Sequence, residues 1–216
     1  MLLLGTGRTA DVHALDEDWA LRRHRNGGDA EREAATMRRV AACGYPVPRV
    51  LRAEGRDLVL QRLRGESLLD AALGGKVAPE AAGELSADLL NRLHATTPVV
   101  HLDLHPGNVM LTPDGPMVID WVTAEEGPAG LDCAMSAILL AEPAVSALPL
   151  AAAARRALAA LLIRLETPVL PYLPAALTRR AADPYLTATE AADAIEAAAL
   201  VAELTAGLPT TREGSR

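Results

Sequence analysis

The sequence predicts an α+β chain in two parts, a small strand-rich lobe over residues 1–64 and a larger, mainly helical lobe over residues 65–216. Three observations carry this. Short β-type segments punctuated by glycine and acidic turns crowd the amino-terminal part, one amphipathic helix interrupts them, and almost everything after Pro128 is alanine- and leucine-rich at helical spacing. A chain of 216 residues, half of them apolar, can bury a core on this plan.

In the first lobe MLLLG, DVHAL and WALRRH read as strands, with GTGRTA and DED as the connecting turns. From Asp29 to Cys43 the residues Ala30, Ala34, Met37, Val40 and Ala41 recur at helical spacing; the start is expected at Gly28-Asp29, and Gly44 and Pro46 end the helix. RVLRAEG and DLVLQRL complete a set of five strands around one helix, and RGES is the exit turn. Beyond it, Pro79 to Ala95 is helical, with Leu85, Leu89 and Leu93 spaced by four and Asn91 and Arg92 on the polar side. PMVID, after the turn TPDG, is expected to pair antiparallel with VML. No repeats are visible, and the tail TTREGSR is expected to fray.

Composition removes several function classes. The net charge of −7 divides into +3 for residues 1–65 (12 basic, 9 acidic) and −10 for the rest (9 basic, 19 acidic), a poor balance for nucleic-acid binding. The longest apolar stretch, Val145 to Ile163, is interrupted by Pro149, Arg155 and Arg156, so no membrane span is expected, and MLLLG is too short for a signal peptide. Two cysteines, Cys43 and Cys133, argue against a disulfide framework and for a reducing, cytoplasmic setting.

The chemistry concentrates in HLDLHPGNVML, residues 101–111. If residues 101–105 were extended, His101, Asp103 and His105 would share a face, as in a zinc-dependent hydrolase; the Pro106-Gly107 break and the lack of further His or Cys ligands weigh against that. A polar turn between strands is the bland alternative. The third reading uses spacing: Asp103, then Asn108 five positions on, then a hairpin and Asp120 twelve beyond, lets one loop and one neighbouring strand surround a nucleotide's magnesium. A carboxylate can take the proton of an attacking hydroxyl, while hard amide and carboxylate oxygens suit the ion that bridges the phosphates.

Through HLDLHPGNVML and VIDW the sequence resembles the aminoglycoside phosphotransferase family of the protein-kinase-like superfamily. The resemblance implies a two-lobed protein-kinase-like fold, ATP and Mg2+ as cofactors, Asp103 as catalytic base, Asn108 and Asp120 as magnesium ligands, and His101 as a support of the loop. His105 would be a loop residue near the phosphates with no assigned role. Upstream, Gly5 to Val12 matches a phosphate-covering loop except that Ala10 stands for its third glycine; amides of Thr6, Gly7, Arg8 and Thr9 would approach phosphate oxygens.

Strand parity puts Ala20 and Arg22 on one face, so the family's A-x-K pattern falls there, and the resemblance implies Arg22 as the catalytic cation that binds and balances the phosphates, a planar fork where the family has the point charge of lysine. The alternative is an ordinary exposed strand arginine. Glu33, on the apolar stripe of the helix, is the expected partner of Arg22, whereas Glu31 faces water. Backbone groups of Gln61 and Leu63 would receive the adenine edge, with Val12 and Ala20 as roof and Met110 as floor.

The eleven residues between Asp120 and Asp132 are too few for a protein-kinase activation loop, which favours a small-molecule acceptor. Asp132 is the expected cap of the following helix, and the family implies that an aspartate here also steadies the catalytic-loop backbone. The expectation is therefore transfer of the ATP gamma-phosphoryl to a small-molecule hydroxyl. A cationic acceptor would suit the acids Glu125, Glu126, Asp183, Glu190 and Asp193, which are otherwise solubilising charges. A nucleotide-binding pseudokinase module is the competing class. Oligomeric state is unknown from sequence.

Overall fold

The computed structural model of the chain describes residues 1–25 and 29–208; Gly28 and the tail from Thr210 to Arg216 lie outside the described residues. Strands β1 (Leu2–Thr6), β2 (Ala10–Ala14) and β3 (Trp19–His24) form an antiparallel meander. Helix α1 (Ala30–Ala42) follows, then β4 (Val50–Glu54) and β5 (Asp57–Gln61). The five strands make one sheet in the order β1-β2-β3-β5-β4, so β5 inserts between β3 and β4 and α1 is the crossover that lets it do so. Asp29 caps α1 by accepting the Arg32 amide, which satisfies one of the donors a helix start leaves unpaired. The helix buries Ala30, Glu33, Ala34, Met37 and Val40, the stripe its apolar spacing anticipates.

The larger lobe opens with the two-residue strand β6 (Glu66–Ser67) and the short helix α2 (Leu68–Leu73), neither of which the sequence reading anticipated. Helix α3 (Pro79–Thr96) leads to β7 (Val99–Val100), the loop that carries residues 101–105, and the hairpin β8 (Val109–Thr112) and β9 (Gly115–Val118). Val109 pairs with Val118 and Met110 with Met117, while β6 adds to the outer edge of β8. The strand β10 (Glu125–Glu126) pairs with β7. Helices α4 (Ala129–Val145), α5 (Ala151–Arg164), α6 (Leu173–Ala181) and α7 (Ala188–Ala206) complete the lobe. This is a mixed α+β architecture, a strand-rich lobe followed by a larger, mainly helical one.

One continuous core runs from α1 through α3 and the hairpin into α4, α5 and α7. Two glycines let backbone meet backbone. A Cβ at Gly83 of α3 would stand 2.0 Å from the Ala157 carbonyl oxygen, so α3 and α5 meet backbone to backbone. Gly65, at φ +145, would place a Cβ 1.8 Å from the Leu111 carbonyl, and it sits where the chain passes from sheet to helices. No helix among the described residues is long and apolar enough to cross a membrane.

Candidate active site

Residues 101–105 are not a strand. β7 ends at Val100 and the backbone turns through Leu102 at φ +64, so the strand alternation that would align His101, Asp103 and His105 is absent. The cause is Asp132. Its fully buried carboxylate accepts the His101 amide at 2.8 Å and the Leu102 amide at 2.7 Å, clamping two successive N–H groups, and it also meets His94 Nε2 at 2.9 Å. Nor does Asp132 cap α4, which begins after Pro128 without a side-chain cap. Among the described residues no group of three or more His, Cys, Asp or Glu could hold a metal ion, which removes the His-Asp-His zinc reading.

His101 is fully buried and its Nε2–H donates to the Ile119 carbonyl at 3.0 Å, leaving Nδ1 to accept the Asp103 amide at 3.3 Å. Burial holds its pKa below the usual histidine range, consistent with a neutral ring. Its ring also packs edge-on against Trp121, 4.6 Å between centroids, and Trp121 stands in turn against Tyr45. A 3-10 turn over Pro106–Asn108 then brings Asn108 back onto the loop: its Nδ2 donates to the Asp103 carbonyl at 2.9 Å and to the Asp103 carboxylate at 3.0 Å. With the amide nitrogen so committed, the Asn108 Oδ1 remains as an acceptor.

Asp103 keeps about a third of its side chain exposed, at 35 %. Burial of the rest, and then the charge of Asp120, raise its pKa to about 7. Asp120 adopts φ +64 immediately after the β8–β9 hairpin, and its Oδ1 accepts from Arg22 Nη2 at 2.5 Å. Arg22 donates through Nη1 to both oxygens of Glu33, which also accepts the Trp121 amide at 3.2 Å. Arg22 is therefore 7 % exposed and bridges α1 to the hairpin, not an exposed strand residue. The buried His24 ring lies 3.1 Å from Glu33 without hydrogen-bond geometry.

Val12 is the cross-strand partner of Arg22 and Ala20 lies two residues before it, so all three share the sheet face turned to Glu33. Met110 is half-buried on β8, opposite Met117 and Ser67. The Gln61 amide already donates to the Arg49 carbonyl at 2.8 Å, so of its backbone groups only the carbonyl is left for a base edge; Leu63 is half-buried just past β5. In the β1–β2 turn the Gly7 amide donates to the Ala10 carbonyl at 2.9 Å, which leaves one amide fewer for phosphate, and the Thr9 carbonyl accepts the Arg25 amide at 2.8 Å. Gly5 and Thr6 are exposed on β1, and Arg8 reaches across to pair with Glu190 at the start of α7.

The acids offered as a cationic surface are largely compensated. Glu125 pairs with Arg179 at 2.8 Å, Asp183 with Arg180 at 3.0 Å, Glu126 with Arg39, and Glu190 with Arg8. Sequence reasoning missed the direct Arg22–Asp120 contact and the His94–Asp132 contact. The partners lie 98 and 38 positions apart, with no local signal joining either pair.

Residues 98–166 match the phosphotransferase enzyme family and residues 20–126 match the RIO domain. No curated protein matches the sequence significantly. Among solved structures the chain is similar to aminoglycoside phosphotransferase APH(2'')-Ib in its ADP-bound form, with TM-score 0.53, 13% identity, and coverage of 94% of this chain and 93% of that one. It is similar also to APH(2")-IIa in its ternary complex with streptomycin and ATP, with TM-score 0.53, 12% identity and 92% of each chain covered. At such identities the likeness is one of fold. The chain is thus built on the fold of the aminoglycoside phosphotransferases, and the phosphotransferase enzyme family model matches the part of it that holds the 101–111 loop.

Proposed function

We propose that the chain is an ATP-dependent phosphotransferase that moves the gamma-phosphoryl group to the hydroxyl of a small molecule, with the lobe boundary at Arg64-Gly65. One observation carries the reading. Asp103, Asn108 and Asp120 are drawn together by the Asn108–Asp103 bonds and by the hairpin, closely enough for Asp120 to raise the pKa of Asp103. In the step, the acceptor oxygen attacks phosphorus, its proton passes to the Asp103 carboxylate, the bond from phosphorus to the bridging oxygen breaks, and ADP leaves. No covalent phospho-enzyme is needed.

The residues present fit a magnesium ion: Asn108 Oδ1 and the second oxygen of Asp120 are two hard ligands, and magnesium takes few protein oxygens and completes its shell from phosphates and water. Bound there, the ion would neutralise charge on the phosphates. Val12, Ala20 and Met110 would enclose the base, with the Gln61 carbonyl and the Leu63 backbone at its edge, while Gly5 to Thr9 cover the phosphates.

Arg22 acts in this reading through Glu33 and Asp120, orienting the second metal ligand. That same engagement favours the second reading, a nucleotide-binding module without turnover, because Arg22 is saturated by carboxylates before any phosphate arrives. ADP release from ATP without acceptor separates the two. A magnesium-dependent rate lost in Asp103→Ala supports the enzyme; a thermal shift with ATP and no rate supports the module.

A further inference from the structure

Beside the catalytic loop lies an apolar cavity of about 320 Å3, at the small end of the range for small-molecule pockets. Leu69 and Leu73 of α2, Pro143 of α4 and Ala154 of α5 line it, and its wall on the loop side is His105 and Pro106. Leu73 is 60 % exposed and Leu69 41 %, so the rim offers apolar surface to solvent. His105 belongs to the pocket and to the reaction centre at once, since its Nε2 is 4.0 Å from Asp103 Oδ1.

The ring's hydrogen bonding fixes its tautomer. His105 Nδ1 accepts the Gly107 amide at 3.1 Å, so the proton of the neutral ring sits on Nε2. A donor then faces a carboxylate across a gap too long for a hydrogen bond and of a size that one bridging oxygen fills. A hydroxyl is suited to that place, because it accepts from Nε2–H and donates to Asp103. Of the nearby acids, Glu125, Glu126 and Glu190 are paired with Arg179, Arg39 and Arg8, and Asp183 shares Arg180 with Glu142, while the cavity wall itself is apolar and offers a cation no carboxylate.

Resting on the phosphotransferase reading above, we propose that this cavity is the acceptor subsite: it takes the apolar body of a neutral alcohol whose hydroxyl lies between His105 Nε2 and Asp103 Oδ1. His105 is then a positioning residue for the acceptor oxygen.

The test uses the full chain, Mg-ATP, and straight-chain primary alcohols from ethanol to hexanol as probes, with ADP release and calorimetric alcohol binding as readouts. Each added methylene should raise kcat/KM and affinity roughly fourfold until the cavity is full, while a polycationic amino sugar should neither be turned over nor compete. Ala154→Trp fills the cavity and should cut hexanol affinity at least tenfold. Leu73→Ser, at an exposed rim position that folding tolerates, should weaken hexanol several-fold and leave ethanol unchanged. Affinity indifferent to chain length, or full hexanol affinity in Ala154→Trp with native melting, overturns the proposal. If Asp103-dependent ATP hydrolysis persists while no alcohol raises ADP release, the subsite is wrong and the phosphotransferase reading stands; hydrolysis that survives Asp103→Ala removes both.

Discussion

Among the arginine–carboxylate pairs that tie the two lobes, Arg22–Asp120 and Arg8–Glu190 are physically unlike. Arg22 to Asp120 is mostly shielded, with the arginine side chain 9 % and the aspartate 34 % exposed, and the same guanidinium is held from behind by a buried Glu33. Arg8 to Glu190 is open, the arginine side chain 59 % exposed. In the first, each charge has been taken from water and depends on its partners, so removing one strands the others. In the second, water and salt screen the attraction, and the contact contributes about 0–1 kcal/mol. The same residue pairing is thus a fixed joint in one place and a loose latch in the other.

Glu33→Ala breaks the joint and should give the largest effect. It leaves Arg22 buried with half its partners and should cost about 3–5 kcal/mol, a fall in Tm of roughly 6–20 °C by calorimetry. Arg22→Lys is subtler. An ammonium cannot reach two carboxylates as a planar fork does, so one charged hydrogen bond is lost, at about 1.5–3 kcal/mol. With Asp120 no longer held in place for the metal, the KM for Mg-ATP should rise several-fold; an unchanged KM would mean that Arg22 does not orient the metal ligand.

The desolvation argument extends to Asp103, whose folded pKa of about 7 lies above its ordinary 3.8. A raised pKa means that the folded state binds the proton more tightly, so stability falls as pH rises from 3.8 towards 7. Asp103→Asn removes that penalty. After screening at a partly exposed side chain, its ligand-free advantage over the parent should grow to about 1–2 kcal/mol by pH 8 and vanish near pH 4. Turnover in the parent should climb through pH 7 as the base loses its proton. An advantage that shrinks on raising the pH would contradict the burial assigned to Asp103. Last and smallest, Arg8→Ala should move Tm by no more than about 4 °C, less still at high salt; a larger drop would make the latch a joint.

What the sequence made legible follows the range of the forces involved. Local periodicity placed α1 within a residue at either end, at Ala30–Ala42 against an expected Asp29 to Cys43, and the β8–β9 hairpin came from TPDG and alternation alone. The six residues of α2 are too few to display a helical period, and β10 exists only because Glu125 and Glu126 meet Val99 and Val100, a pairing no window around either segment contains. The extended reading of residues 101–105 failed because Asp132, thirty-one positions after His101, holds the loop by its amides. Asp103, Asn108, Asp120, Arg22 and Glu33 were readable as types at set spacings; that Arg22 and Asp120 touch was not.

Gly83 is where the packing becomes a measure of width. Ala82 beside it and Ala157 across from it both border the apolar cavity, and the two helix backbones touch because position 83 has no side chain to hold them apart. The separation of those walls is thus gauged by a missing methyl group. Restoring one as alanine would wedge α3 from α5 and enlarge the chamber for a bulkier guest, at the cost of the closest fit in the helical half.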